Sequence, residues 1–184
     1  MKKKIPIGKL VENRIIIWDI EFGRELYKKG FYGKPLGIPK PKDFNFNAPL
    51  ILDLMEGYYL AKKRIIRVKK GDKKIGLREL KKICEEEHTN FDEKFVVYEY
   101  LRNSGFVVTS GIKFGSDFAV YEHGPGIDHA PYLVQVTKPN DKFTATSIVL
   151  SGRLATTVRK QFIVAMSDLK KNKVSFIAFD WWRA

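Results

Sequence analysis

Residues 4–18 alternate loosely between apolar and polar positions and are rich in Ile and Val around the turn-like Glu12-Asn13. That pattern predicts a hairpin ending near Trp18. A short helix is expected over residues 20–29, stopped by Gly30. Next comes GFYGKPLGIPKPKDFNFN, residues 30–47, with three Gly and three Pro. It does not fit a regular element, and loops of this length in a compact domain are usually functional or disordered. Residues 48–62 (APLILDLMEGYYLAK) read as a buried helix, 64–68 as a strand and Gly71-Asp72 as a turn, with a helix over 77–87.

HTNFDEK breaks that pattern, and Asn90 with Glu93 three residues on resembles a capping box. An amphipathic helix is expected over 91–103, ended by Gly105. Paired strands follow at 106–109 and 112–121, around Ser110-Gly111. A loop with two Gly and two Pro covers 122–131, and 132–137 is a strand. Residues 147–171 are expected to contain a long helix and 174–182 a closing strand. The pattern therefore predicts an α/β (α+β) chain with a boundary near residues 88–91. A small N-terminal α/β domain spans 1–90. A C-terminal domain spans 91–184, with a central mixed sheet flanked by helices.

Composition narrows the class. Of 184 residues, 44% are hydrophobic, enough for a buried core, and disorder would need a poorer apolar content. Lys and Arg total 34 against 21 Asp and Glu, a net +13 that suggests an anionic partner, nucleic acid before membrane surface. No apolar run approaches the roughly 20 residues of a membrane span, and the basic start has no apolar stretch behind it as a signal peptide would. The single Cys84 excludes an internal disulfide and a Cys-based zinc site. A reducing, cytoplasmic setting is the simplest expectation.

Candidate chemistry lies in the second half. Strand alternation over 112–121 would put Lys113, Asp117 and Tyr121 on one polar face. The loop after it holds two of the three histidines, His123 and His129. On the long helix, Leu154, Val158, Phe162, Ala165 and Leu169 fall within about 80° of one another as a core face. Arg153 and Lys160, seven residues apart, lie within about 20° on the opposite face. Taken alone, each of these is better read as packing or as solvated surface than as chemistry.

In order, FGSDFAVY (114–121), PGIDHAPYLVQV (125–136) and SGRLATTVRK (151–160) resemble the catalytic domain of the archaeal and eukaryotic tRNA splicing endonucleases. The match is good over residues 91–184, and in layout only before them. The resemblance implies a catalytic triad of Tyr121, His129 and Lys160, needing no cofactor and no metal. His129 is preferred to His123 because it precedes Ala130 and the 132–136 strand. Arg153 matches an arginine that stacks on a bulged base; Trp181 or Trp182 would serve for a second stacking arginine with no counterpart here. The implied substrate is precursor tRNA with bulge-helix-bulge junctions, and Lys34, Lys40 and Lys42 would extend the RNA contact. Metal-dependent nucleases need clustered carboxylates. Here Asp117 is followed on the next strand by Gln135-Val136-Thr137-Lys138, with no second carboxylate, so Asp117 reads as structural. The family acts as a four-subunit assembly. The candidate inserting loop, residues 138–144, has only Asp141 among lysines, which favours an α2β2 heterotetramer with a paralogous subunit. The rival expectations are a non-catalytic structural subunit and a plain RNA-binding module.

Overall fold

A computed structural model describes residues 5–39, 41 and 43–179. Lys40, Lys42, Trp181 and Trp182 lie outside the described residues. The chain divides between Thr89 and Asn90 into two compact units. No helix among the described residues is long and apolar enough to cross a membrane.

In the first unit, β1 (Ile7–Val11) and β2 (Arg14–Ile17) form the expected hairpin, and α1 (Ile20–Gly30) follows. The Asp19 side chain caps α1 by accepting from Phe22 N. The Gly/Pro segment contains only the two-residue β3 (Lys34–Pro35), which pairs with β4 (Leu50–Leu52). It is nonetheless anchored. Phe44 and Phe46 pack on Tyr27 with ring centroids 6.0 and 5.5 Å away, and Arg24 Nε donates to the Phe46 carbonyl at 2.8 Å.

The buried helix expected over 48–62 is instead a strand followed by the shorter α2 (Leu54–Lys62). Asp53 divides them: its carboxylate accepts from Glu56 N while Glu56 accepts from Asp53 N, a reciprocal cap that starts the helix there. The strand expected at 64–68 begins later, as β5 (Arg67–Lys70), and hairpins into β6 (Lys73–Ile75), which the sequence reading missed; α3 (Leu77–Glu87) follows. The sheet order is β3-β4-β2-β1-β5-β6, with β1 and β5 parallel. Cys84 on α3 is fully buried, and its thiol donates to the Leu54 carbonyl. Burial, with Asp53 and Glu85 adding negative charge, pushes that thiol up to about 12, so it is an inert core group.

The second unit opens with α4 (Phe91–Asn103) and β7 (Val107–Ser110). The strand expected over 112–121 is shorter. Residues Ile112–Phe114 form a 3-10 turn, and β8 runs only Phe118–Tyr121. Lys113 is therefore not on the Tyr121 strand face. β9 (Tyr132–Thr137) falls where expected. The long helix does not. α5 (Ala145–Thr157) ends early, and Gln161–Asp168 is a strand, β10, antiparallel to β11 (Lys173–Phe179). The proposed helical core face is thereby overturned: Leu154 and Leu169 are each 43% exposed, while Phe162 and Val164 are buried from a strand.

The order β11-β10-β9-β8-β7 gives a mixed sheet, with β9 and β10 parallel and the other pairs antiparallel. Ala155 of α5 packs with Ala119, Leu133, Phe162 and Val164 on one face. On α4, Tyr98 meets Phe118 at 5.9 Å.

Ile15 in the first unit is completely buried between two glycines. A Cβ on Gly57 would come 2.2 Å from Ile15 Cδ1, and one on Gly8 would come 2.5 Å from Ile15 Cγ2. Although alanine normally improves a helix by about 1 kcal/mol over glycine, Gly57→Ala is expected to destabilise by about 1–3 kcal/mol through overpacking. Adding Ile15→Val, which removes the obstructing methyl, should return part of that loss in urea unfolding. Strictly additive losses would mean the two positions do not collide.

Candidate active site

Strand register brings the sequence-selected residues of the second unit to one end of the sheet. Val120 pairs with Tyr132 across the antiparallel β8–β9 ladder, and Gln161 pairs with Tyr132 across the parallel β9–β10 ladder. Tyr121 therefore ends β8, His129 lies three residues before β9 and Lys160 directly precedes β10, all at the same edge. Neighbouring strands stand about 4.8 Å apart, and β9 lies between β8 and β10, so Tyr121 and Lys160 flank the strand that His129 leads into.

Tyr121 and Ala119, two residues apart, lie on the α5 face, where the Tyr121 ring packs half-buried against the core. His129 is exposed, next to the buried Ala130. Lys160 is not on the helix but just beyond it. Arg159 turns the chain through a left-handed conformation, φ 54°, and Lys160 N donates back to the Ala155 carbonyl at 2.8 Å. From there Lys160 Nζ donates to the Ala130 carbonyl and lies 5.3 Å from the centre of the Phe114 ring. Lys113 Nζ lies 4.8 Å from the same ring. Loss of solvent, then the like charge of Lys113, lower the Lys160 pKa from its ordinary value, with the Asp128 carboxylate pulling the other way.

The loop between Tyr121 and His129 is organised by Asp128, which the sequence reading passed over. Its Oδ2 accepts from Glu122 N at 3.0 Å and His123 N at 3.1 Å, and its Oδ1 from Gly124 N at 2.7 Å. Burial, the largest single influence, would raise its pKa; the N–H donors of Gly124, His123 and Glu122, with the nearby His123, outweigh it and hold the carboxyl below its usual value. The signal was present as an Asp in a Gly-Pro-Gly-rich turn, a residue type that captures nearby backbone N–H groups. His123 is exposed in this loop.

Arg153 is exposed on α5, one turn before the helix ends, and does not share a helix with Lys160. Lys34 is exposed on β3 of the first unit. Among the described residues no three His, Cys, Asp or Glu side chains gather as a metal-ligand set. Asp117 is fully engaged: Oδ1 pairs with Lys94 Nζ at 2.8 Å, and Oδ2 accepts from Gln135 Nε2 and Val136 N, each at 2.8 Å.

Two family profiles match the chain. One, described as tRNA intron endonuclease, catalytic C-terminal domain, covers residues 91–176, and its N-terminal counterpart covers 7–81. Among curated proteins, the chain is 44% identical over 181 residues to a tRNA-splicing endonuclease of Pyrobaculum aerophilum, covering 96% of this chain and 99% of that one. It is 43% identical over 176 residues to one of Sulfurisphaera tokodaii, covering 95% and 98%. A third, from Hyperthermus butylicus, is 41% identical over 169 residues, covering 91% and 93%.

The contacts of Asp117 make a direct expectation. Asp117→Ala strands Lys94 and Val136 N at a site where the carboxylate is only 10% exposed. Removing one partner of a mostly buried pair should cost about 3 kcal/mol in urea unfolding. A change below about 0.5 kcal/mol would put this pair with ordinary surface ion pairs.

Proposed function

The chain belongs to the tRNA intron endonuclease family, and we propose that it excises introns from precursor tRNA at bulge-helix-bulge junctions, without a metal, through Tyr121, His129 and Lys160. RNA supplies its own nucleophile, the ribose 2′-OH. Its in-line attack on the adjacent phosphorus forms one P–O bond and breaks the bond to the 5′-oxygen. The products are a 2′,3′-cyclic phosphate and a 5′-OH. A base must take the 2′-OH proton, an acid must give one to the leaving oxygen, and positive charge must meet the pentavalent transition state. Tyr121 is the base, His129 the acid and Lys160 the charge. The observation that supports the reading is the gathering of all three at one end of β8, β9 and β10. Lys113, near the same ring as Lys160, adds positive field for a Tyr121 phenolate.

Arg153 offers its guanidinium to a splayed base, as do Trp181 and Trp182 their rings. Lys34, Lys40 and Lys42 extend the contact along the RNA backbone. The chain works in the cytoplasm with a paralogous subunit, as an α2β2 heterotetramer. Asp141, the one acid of the 138–144 loop, accepts from Thr137 Oγ1 at 2.9 Å and Lys138 N at 2.8 Å, so it is held inside its own turn. The edge strand β11 exposes Phe176 and Ile177 for association.

The test is cleavage of a bulge-helix-bulge RNA in EDTA, with and without candidate partner subunits. Wild type should yield 2′,3′-cyclic phosphate ends, and His129→Ala and Lys160→Ala should each lose about 10²–10⁴-fold in rate. Binding without cutting, even with a partner, would instead mark a structural subunit or a plain RNA-binding module. In the same assay, Lys34→Ala, Lys40→Ala and Lys42→Ala together should flatten the dependence of binding on log salt by roughly 0.7 per lost phosphate contact. An unaltered slope removes the loop from the interface. An active, monodisperse homotetramer from this chain alone would defeat the heterotetramer.

A further inference from the structure

Tyr121 and His129 flank one loop, and a single carboxylate closes it. Asp128 takes three successive backbone N–H groups, those of Glu122, His123 and Gly124. The first belongs to the residue bonded to Tyr121, and Asp128 itself is bonded to His129. The loop is tied again by Ile127 N and Asp128 N, which both donate to the Gly124 carbonyl at 3.0 and 3.1 Å. Gly124 and Gly126 take φ values of 133° and 90°, conformations that side chains resist, so the tight path depends on them.

We propose that Asp128 is a positioning residue for RNA cleavage, its carboxylate fixing the separation of Tyr121 and His129 and setting a negative charge beside the Lys160 ammonium. The inference rests on the reading of those three residues as the catalytic set. The first half follows from geometry. Without the staple, a run of residues rich in glycine and proline separates the base from the acid, and misplacement by about 1 Å at a reacting group costs about 100-fold. The second half follows from placement: Lys160 Nζ donates to the Ala130 carbonyl, two residues along the chain from Asp128. Lys113 on the 3-10 turn repels its proton and Asp128 on the loop favours it, while His123 faces Asp128. Arg159 is the chain neighbour of Lys160, and Tyr121 and His129 share its end of the sheet. Asp128 is the carboxylate that acts on Lys160; Glu122, at the same end of the sheet, accepts from the Tyr132 hydroxyl at 3.0 Å.

The experiment compares wild type, Asp128→Asn and Asp128→Ala in the full chain, with its partner subunit where one is needed. Three readouts are taken: steady-state cleavage across pH, backbone amide exchange at residues 122–124, and thermal unfolding. An Asn side chain keeps its shape but loses the charge and presents an NH2 where an acceptor stood. Both variants are expected to speed exchange at the three amides at least about 10-fold and to lower kcat by about 10–100-fold with KM within about twofold. The alkaline limb of the pH–rate profile should move to lower pH, because Lys160 loses the anion that favours its proton. A merely structural brace would not move that limb. Reduced kcat with an unmoved limb and a matching fall in Tm overturns the proposal, as does unchanged kcat. Should wild type itself fail to cut, the catalytic reading fails with it. Amide exchange then separates the two: unchanged exchange at 122–124 overturns the staple as well.

Discussion

Two parallel strands cannot be joined by a tight turn, so the chain between Thr137 and Gln161 has to travel back along the sheet before it can pair. In the second unit that return is made by α5, and the rest of the candidate site depends on where it delivers the chain. Gln161 N donates to the Pro131 carbonyl at 2.8 Å, which fixes the first residue of β10 against the first residue of β9. At that edge Lys160 Nζ donates to the Ala130 carbonyl. A one-residue slip in this register would send Lys160 to the opposite face.

The same edge concentrates positive charge. Two ammonium groups lie about one ring away from Phe114, itself packed on the core beneath α5. Such an arrangement is poor for an isolated protein and favourable for one that receives a phosphodiester. Further along the sheet the balance is reversed: Asp117 is fully neutralised by Lys94 and by donors of β9. One carboxylate thus ties α4 to β9, and another shapes a loop.

Much of this was legible in the sequence where local chemistry and hydrophobic period agreed. α3, α4 and β9 fall where the pattern puts them, because each is bounded by a turn residue or a change of period; the capping box expected at Asn90 does not form, since Asn90 is left-handed and its side chain makes no cap bond. The boundary of α5 was not legible for a physical reason. It ends without Gly or Pro, at an arginine in a left-handed conformation, and the apolar run of β10 is spaced so that a helical wheel also accepts it. A buried strand and a buried helix segment look alike in such a run. Asp53 was legible but overlooked: it lies three residues before Glu56, the spacing of a cap, in the middle of a stretch read as one helix. Tyr121, His129 and Lys160 are candidates through motif order. What put Lys160 at the edge, a strand rather than a helix, was not legible. The role of Asp128 was not legible because it rests on backbone N–H groups four to six residues earlier, which only the path of the loop brings to it.

The strand ends far from Tyr121, His129 and Lys160 have a different character. There β9 runs out into the 138–144 loop, and β10 turns through residues 169–172 into β11. Length and sequence can drift in those two connections without altering the distance between any pair of the three residues, since the strands themselves hold the spacing. Divergence is therefore cheap at one end of the sheet and severely restricted at the other. A chain built this way can take new contacts through its distal loops while the end that carries Tyr121, His129 and Lys160 stays unaltered, so variety of association and constancy of that end are compatible properties of one five-stranded sheet.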